Sequence, residues 1–241
     1  MELRFLRRRI GVLLFISGIA ILVATIGLQL LEPSAETLEP ISSSYCMVID
    51  PGHGGEDGGA VAADGTLEAD VNLQIALRLR SLAALCGVPV ATTRDTVSID
   101  YPIDAETLAA RKAADQKQRA AFINSIQNAV LISIHQNFYP APGPHGAEAL
   151  YANTEHSEAF GKLLHEVLKK TLDPENRRVA APISDEIYLM RNVNCPAVLV
   201  ECGFLSNPEE LEKLKSDSYD QKLALVMLSA YLQYFQTGWN L

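Results

Sequence analysis

Apolar positions along this chain follow two spacings. Short unbroken runs end abruptly at loop residues: Tyr45–Asp50 stops at Pro51-Gly52, and Val88–Thr93, Val130–Ile134, Ala147–Tyr151 and Ala197–Val200 share its character. Runs of this length, bounded by turn residues, read as buried strands. Between them the spacing becomes helical. Leu67–Leu85 sets Val71, Ile75, Leu79, Leu82 and Leu85 on one stripe, and Gly87 closes it. Leu108–Ile126 is polar on one side, as a surface helix would be. Glu158–Leu172, closed by Asp173-Pro174, then Glu209–Lys215 and Asp220–Phe235 complete the helices. Strands alternating with helices predict an α/β fold: a single three-layer domain with a mostly parallel central sheet flanked by helices.

One stretch obeys neither spacing. Ile10–Leu31 is 22 residues without a charge. As a helix it would span about 33 Å, enough for a hydrocarbon core of about 30 Å. Arg4, Arg7, Arg8 and Arg9 precede it; Glu32, Glu36 and Glu39 follow. The positive-inside rule puts a basic stub, 1–9, in the cytoplasm and everything after Leu31 outside. A cleaved signal peptide is the rival reading, but its apolar core is usually only about 7–15 residues, and no clear A-x-A site follows here. The expectation is a retained signal-anchor at 10–31, a Glu-, Pro- and Ser-rich linker at 32–44, and a catalytic domain at 45–241.

Composition sharpens this picture. The 241 residues are 48% hydrophobic, which suits one domain with a sizeable core. The formal charge is −9, and because residues 1–31 carry +3, the remaining 210 carry −12. So acidic a body excludes nucleic acid as a partner. Cys46, Cys86, Cys195 and Cys202 read as small core residues. Cys195 and Cys202 flank a strand and would sit roughly 23 Å apart when extended, too far for a disulfide.

In a parallel sheet, sites form beyond the carboxyl ends of the strands. Three strands deliver polar residues there: Asp50-Pro51-Gly52-His53-Gly54-Gly55, Ser133-Ile134-His135-Gln136-Asn137 and Glu201-Cys202-Gly203-Phe204. Glu68 opens the first helix. Two histidines and one carboxylate match a catalytic zinc with an open position. Glu201 is then a spare carboxylate for proton transfer. It follows Ala-Val-Leu-Val, so it arrives from a dry interior and needs a cation or a proton nearby. Asp70, Glu56 and Asp57 compete with Glu68 as the carboxylate. Arg94 could meet a substrate carboxylate, Glu201, or an ordinary ion-pair partner. His145 reads as a turn histidine, His156 and His165 as solvated, and Tyr188 and Met190 as core and rim.

MVIDPGHGG, the Glu of LEADVNL, LISIHQN and VLVECGFLSNPEE resemble, in order and spacing, the motifs of the zinc-dependent N-acetylmuramoyl-L-alanine amidases, the amidase-3 group. Arg119 and Asn124 in QRAAFIN match a family Arg-x4-Asn helix before the SIH strand. The resemblance spans essentially all of 45–236. It implies a peptidoglycan hydrolase that cuts the amide between N-acetylmuramic acid and L-alanine. Carried over by position, His53, Glu68 and His135 bind Zn2+ and Glu201 is the catalytic carboxylate. Gln136 and Cys202 are mild departures that bear on substrate detail.

The signal-anchor, RKAADQKQR, IYLMRNVNCPAVLVECGFLSNP and the lack of any wall-binding module resemble the germination-specific subgroup of endospore formers. That subgroup acts on spore cortex on the way to muramic δ-lactam. Only 65 residues separate His135 from Glu201, which leaves no place for the zinc-blocking helix of cell-division relatives. An activating protein partner stays an open question. Rival functions are a vegetative wall amidase, a wall carboxypeptidase or sugar deacetylase, and a non-catalytic wall-binding protein. The last would lack a ligand or the catalytic Glu, and all four positions are filled.

Overall fold

The computed structural model describes residues 45–236. The expected stub, anchor and most of the linker lie outside them. Among the described residues no helix is long and apolar enough to cross a membrane.

Six strands form one sheet: β1 (Cys46–Pro51), β2 (Val90–Thr92), β3 (Ala129–Asn137), β4 (Glu148–Tyr151), β5 (Ala181–Pro182) and β6 (Ala197–Phe204). Their spatial order is β2-β1-β3-β6-β4-β5. The first four in that order run parallel, β4 is antiparallel to β6, and β5 is parallel to β4. The helices are α1 (Glu68–Leu85), α2 (Leu108–Ser125), α3 (Ser157–Leu172), α4 (Tyr188–Asn192), α5 (Pro208–Leu214) and α6 (Asp217–Gln236).

The central strands are apolar on both faces because helices cover both. Met47, Ile49, Val130, Ile132, Ile134, Val198 and Val200 join Ile75 and Leu79 of α1, Phe160 and Leu164 of α3, and Met227 and Tyr231 of α6 in the larger core. The alternate residues Val48, Leu131, Ala197 and Leu199 join Ile123 of α2 and Leu189 and Met190 of α4 in a smaller one. A period of two on each strand thus feeds two cores, and the three-layer α/β expectation holds.

Local chemistry explains the helix ends. Thr107 caps α2 by accepting from the Ala110 N–H at 3.1 Å. Asn207 caps α5 by accepting from Glu209 and Glu210, with Pro208 at the first helical position. Asn124 ties α2 to the chain after α4, donating to Asn192 O and accepting from Asn194 N.

Several sequence expectations need correction. Cys86 is exposed, because it sits past the end of α1 beside solvent-facing Leu85; Cys195 and Cys202 are buried as expected, and all four thiols are free. His165 is buried, not solvated: it lies inside the apolar stripe of α3, and its Nε2 donates to Arg178 O at 2.8 Å. His156 is half-buried at the left-handed residue before α3. β5 and α4 were not foreseen; two residues and five residues are too short for any periodicity to show.

Candidate metal centre

Parallel register carries the site residues to one end of the sheet. β1 pairs with β3 up to Pro51–Ile134, and His135 stands beside Glu201. Beyond Pro51 the chain leaves the sheet through His53, a non-glycine residue with φ 59°. Only a firmly held loop keeps such a conformation.

Two arginines hold it. Arg119 is buried, pairs with Asp50 at 2.8 Å, and donates to the carbonyls of Pro51 and His53, both at 2.7 Å. Arg94 donates to the carbonyls of Pro51 at 3.0 Å, Gly52 at 3.0 Å and Ala69 at 2.8 Å. Arg94 therefore serves neither Glu201 nor an outward-facing anion. Burial works against ionised Asp50, but Arg119, Ser133 and Thr93 outweigh it and hold the carboxyl at about 2. Tyr101 adds an outer tie, its hydroxyl donating to Gly54 O and accepting from Glu56 N.

The structure brings His53, Glu68 and His135 together, with one donor atom from each lying within 4.8 Å of the others. Glu68 Oε1 is 3.3 Å from His53 Nε2 and 3.0 Å from His135 Nδ1. Burial opposes its charge, but hydrogen bonds from His135 and His53 prevail and hold the carboxyl well below the usual range. Glu68 also accepts from the N–H groups of Ala60 at 2.9 Å and Gln136 at 3.1 Å. Asn72, one turn along α1, donates to Gly52 O, and Gln136 donates to Asn72 in turn. Gln136, a departure from the family pattern, thus belongs to the support of Glu68.

The competing carboxylates are sorted by position. Asp70 faces solvent and Glu56 pairs with Arg111. Asp57 stands behind His53: its Oδ2 is 2.9 Å from His53 Nδ1, and Lys112 Nζ is 2.9 Å from its Oδ1. His53 thus has a carboxylate at each ring nitrogen. Burial alone would lower its pKa, but Asp57 and Glu68 raise it to about 9. This Lys112–Asp57–His53 chain was not read from the sequence, where Asp57 looked like a ligand in competition with Glu68.

Two glycines are fixed by close approach. A Cβ on Gly52 would sit 2.7 Å from His135 Cδ2 and nearer still to Cε1 and Nε2. Gly59, at φ +69°, would place one 2.6 Å from Glu68 Oε2 and 2.8 Å from His53 Cδ2.

Glu201 is flanked by His135 on β3 and by Glu148 on β4. Its Oε2 is buried with no hydrogen-bond partner. Burial first, with the nearby Glu68 and Glu148 carboxylates adding to it, pushes its carboxyl up to about 7 against the pull of His135 and His53. Glu148 is itself paired with Arg178 at 3.1 Å, and that guanidinium lies 4.5 Å over the Phe204 ring. His145 is an exposed turn histidine, and Tyr188 and Met190 pack in the smaller core, outside the site.

A triad of metal-type donors beside a carboxyl poised near neutrality is the constellation of a hydrolase. Comparison with known proteins identifies which one. The family profile described as N-acetylmuramoyl-L-alanine amidase matches residues 47–231. The germination-specific N-acetylmuramoyl-L-alanine amidase of Bacillus subtilis is 34% identical over 234 residues, which is 95% of this chain and 97% of that protein. The structure of the CwlD amidase from Clostridioides difficile in complex with the GerS lipoprotein is similar at TM-score 0.77 and 34% identity, covering 80% of this chain and 99% of that one. An N-acetylmuramoyl-L-alanine amidase from Clostridium difficile 630 follows at TM-score 0.70 and 28% identity, covering 81% and 99%. Carboxypeptidase, deacetylase and non-catalytic readings fall away, and the chain belongs to the N-acetylmuramoyl-L-alanine amidase family as an enzyme of that activity.

Proposed function

We propose that this amidase is a zinc enzyme of spore-cortex peptidoglycan, with His53, Glu68 and His135 as metal ligands and Glu201 as the acid–base group. The observation that carries the reading is the cluster of three donors, one of them in register beside Glu201, whose Oε2 is buried and unpartnered. Two imidazole nitrogens and a carboxylate oxygen, all within 4.8 Å of one another, are a donor set that zinc takes. A tetrahedral site with bonds of about 2.0–2.1 Å has ligand-to-ligand edges of about 3.3 Å. The separations from Glu68 to the two histidines are 3.3 Å and 3.0 Å. Asp57 behind His53 is the kind of outer carboxylate that fixes a ligand's ring and tautomer.

A zinc ion at such a site supplies Lewis acidity to the scissile carbonyl and to the attacking water. Glu201 then accepts the water proton at Oε2 and delivers it to the departing L-alanine nitrogen. Burial and the neighbouring carboxylates raise its affinity for a proton, which suits it to take one from water and pass it on. The Glu148–Arg178 pair keeps the neighbouring negative charge compensated.

The cortex assignment, and with it the route to muramic δ-lactam, is supported by the name of the Bacillus subtilis relative. The GerS complex of the CwlD amidase supports a protein partner for this chain too. The retained anchor at 10–31, with 1–9 inside and 32–44 as linker, would hold the enzyme on the outer side of the cytoplasmic membrane. Membrane fractionation with alkaline washing should leave the full chain in the pellet. The test of the enzymatic reading is digestion of purified cortex and vegetative peptidoglycan by the full chain, with and without added zinc. Zinc-dependent release of stem peptides with an L-alanine amino terminus, faster from cortex, is the expected result. Equal rates on both walls would overturn the cortex assignment, and zinc-independent release would overturn the metal.

A further inference from the structure

Gln136 breaks the pattern that built the rest of its strand. It continues the alternate row Val130, Ile132 and Ile134, which feeds the larger core, and it is 3% exposed. An amide in such a place is costly unless its polar atoms are paired. The Gln136 Oε1 has no hydrogen-bond partner. Packing therefore does not account for the residue, since an aliphatic side chain would complete the row without that penalty.

What the amide does is donate. Its Nε2 reaches Asn72 Oδ1 at 3.1 Å, and Asn72 is fully buried. The Asn72 NH2 group then faces two acceptors, Gly52 O at 3.1 Å and Glu68 Oε1 at 3.4 Å. Carbonyl and carboxylate oxygens only accept, so these three bonds together permit one orientation of each amide. Oε1 is the Glu68 oxygen that faces the two histidines, and the Gln136 backbone N–H also donates to it, at 3.1 Å. Oε2 is engaged separately, by the Ala60 N–H at 2.9 Å. The other partner of Asn72 matters equally, because Gly52 lies against the His135 ring with no room for a methyl group between them. One buried amide thus sets two of the three metal donors against each other, and Gln136 holds that amide.

We propose that Asn72 and Gln136 are positioning residues of the metal centre, a buried amide pair that keeps Oε1 of Glu68 turned to the histidines and Gly52 seated under His135. The inference rests on the zinc reading of the site and adds to it two residues that act through the ligands. A glutamate at the start of a helix turns about three side-chain bonds, so α1 alone does not fix which way its carboxylate faces. Partners behind a ligand supply that orientation, and buried ones supply it most firmly.

The test measures the zinc affinity of the full chain by chelator competition, and the visible absorption of the cobalt-loaded protein; neither depends on turnover. Asn72→Leu should lose about 10–100-fold in zinc affinity, the loss typical of removing a partner behind a ligand. Gln136→Met, which keeps the length and removes the donor, should lose about 10-fold. In the Asn72→Leu background the same Gln136→Met change should cost less than about twofold, because Gln136 acts through Asn72. The cobalt bands should shift in each variant, since the ligand field follows the Glu68 carboxylate. Asn72→Leu/Gln136→Met replaces both amides by apolar groups of similar size, so its zinc-stripped form should melt near wild type while its zinc affinity stays low. An affinity and a cobalt spectrum unchanged in that double variant would overturn the pair. Equal losses from Gln136→Met in both backgrounds would overturn the relay, and a loss of affinity matched by collapse of the zinc-stripped fold would make the pair structural only. Failure of the zinc reading itself would look different, as a wild-type chain that takes up neither ion.

Discussion

Gly52→Ala adds one methyl group against the ring of His135, a proposed zinc ligand. The new Cβ would lie 2.7 Å from His135 Cδ2 and closer to Cε1 and Nε2, where carbon contacts settle at about 3.5–4.0 Å. One of the two must retreat by about 1 Å. The Gly52 backbone is pinned on both sides: its N–H donates to Ile134 O at 2.9 Å, and its carbonyl accepts from Arg94 and Asn72. The imidazole is therefore what moves. Zinc–nitrogen bonds tolerate about 0.2 Å, so a shift of about 1 Å would remove His135 from the proposed ligand set. Zinc affinity should fall at least ~10²-fold, and a misplacement of this size costs turnover a similar factor on its own. Chelator competition on the purified protein measures the affinity, and release of stem peptides measures the rate. Thermal unfolding of the zinc-stripped forms should differ little, because alanine adopts the Gly52 backbone without strain. Gly143→Ala is the control, since its Cβ would meet nothing within 4 Å, and it should bind zinc like wild type. A Gly52→Ala protein with wild-type zinc affinity and turnover would refute the placement of His135 at the metal.

Three further outcomes are expected. Glu201→Gln should lower turnover by about 10²–10⁴-fold with zinc content unchanged, as judged by metal analysis beside a product assay; loss of zinc would make Glu201 a ligand instead. Asp57→Asn should weaken zinc binding by about 10–100-fold in chelator competition while leaving stoichiometry at one, and an affinity within twofold of wild type would exclude Asp57 from orienting His53. Burial raises Asp220 to about 6, opposed by Arg78 and reinforced by Asp217, and neither of its oxygens has a hydrogen-bond partner. Because the folded pKa exceeds the unfolded one, its ionisation costs stability as pH rises through about 4 to 6, by at most about 3 kcal/mol. Asp220→Asn should melt higher than wild type at pH 7.5, with the gap closing towards pH 4; a gap that does not narrow would contradict the assignment.

Much of this was readable from residues alone, for physical reasons. Strands buried on both faces must be apolar throughout, so β1, β3 and β6 announced themselves, and their polar ends marked the site. His53, Glu68 and His135 stood out because histidines and a carboxylate at strand and helix ends are a metal's donor set. What escaped depends on shape. The left-handed turn at His53 swings Asp57 behind the imidazole, and spacing in a glycine-rich loop does not report such a turn. Arg94 looked like an ion-pair partner, yet it spends its donors on backbone carbonyls, which leave no trace in side-chain patterns. The antiparallel setting of β4, which places Glu148 beside Glu201, is invisible in a four-residue strand. His165 was misjudged because one polar residue within an amphipathic helix looks solvated until its carbonyl partner is known.

The two arginines beneath the Pro51–His53 carbonyls determine how this enzyme would live with a scarce metal. A loop whose shape is set by permanent guanidinium charges does not need an ion to fold it. Zinc would then meet a cradle whose loop is already shaped, and its loading would not be coupled to folding. Depletion would leave a dormant protein and not a denatured one, ready to be recharged many times over. That durability would make metal supply a reversible throttle on amide cleavage.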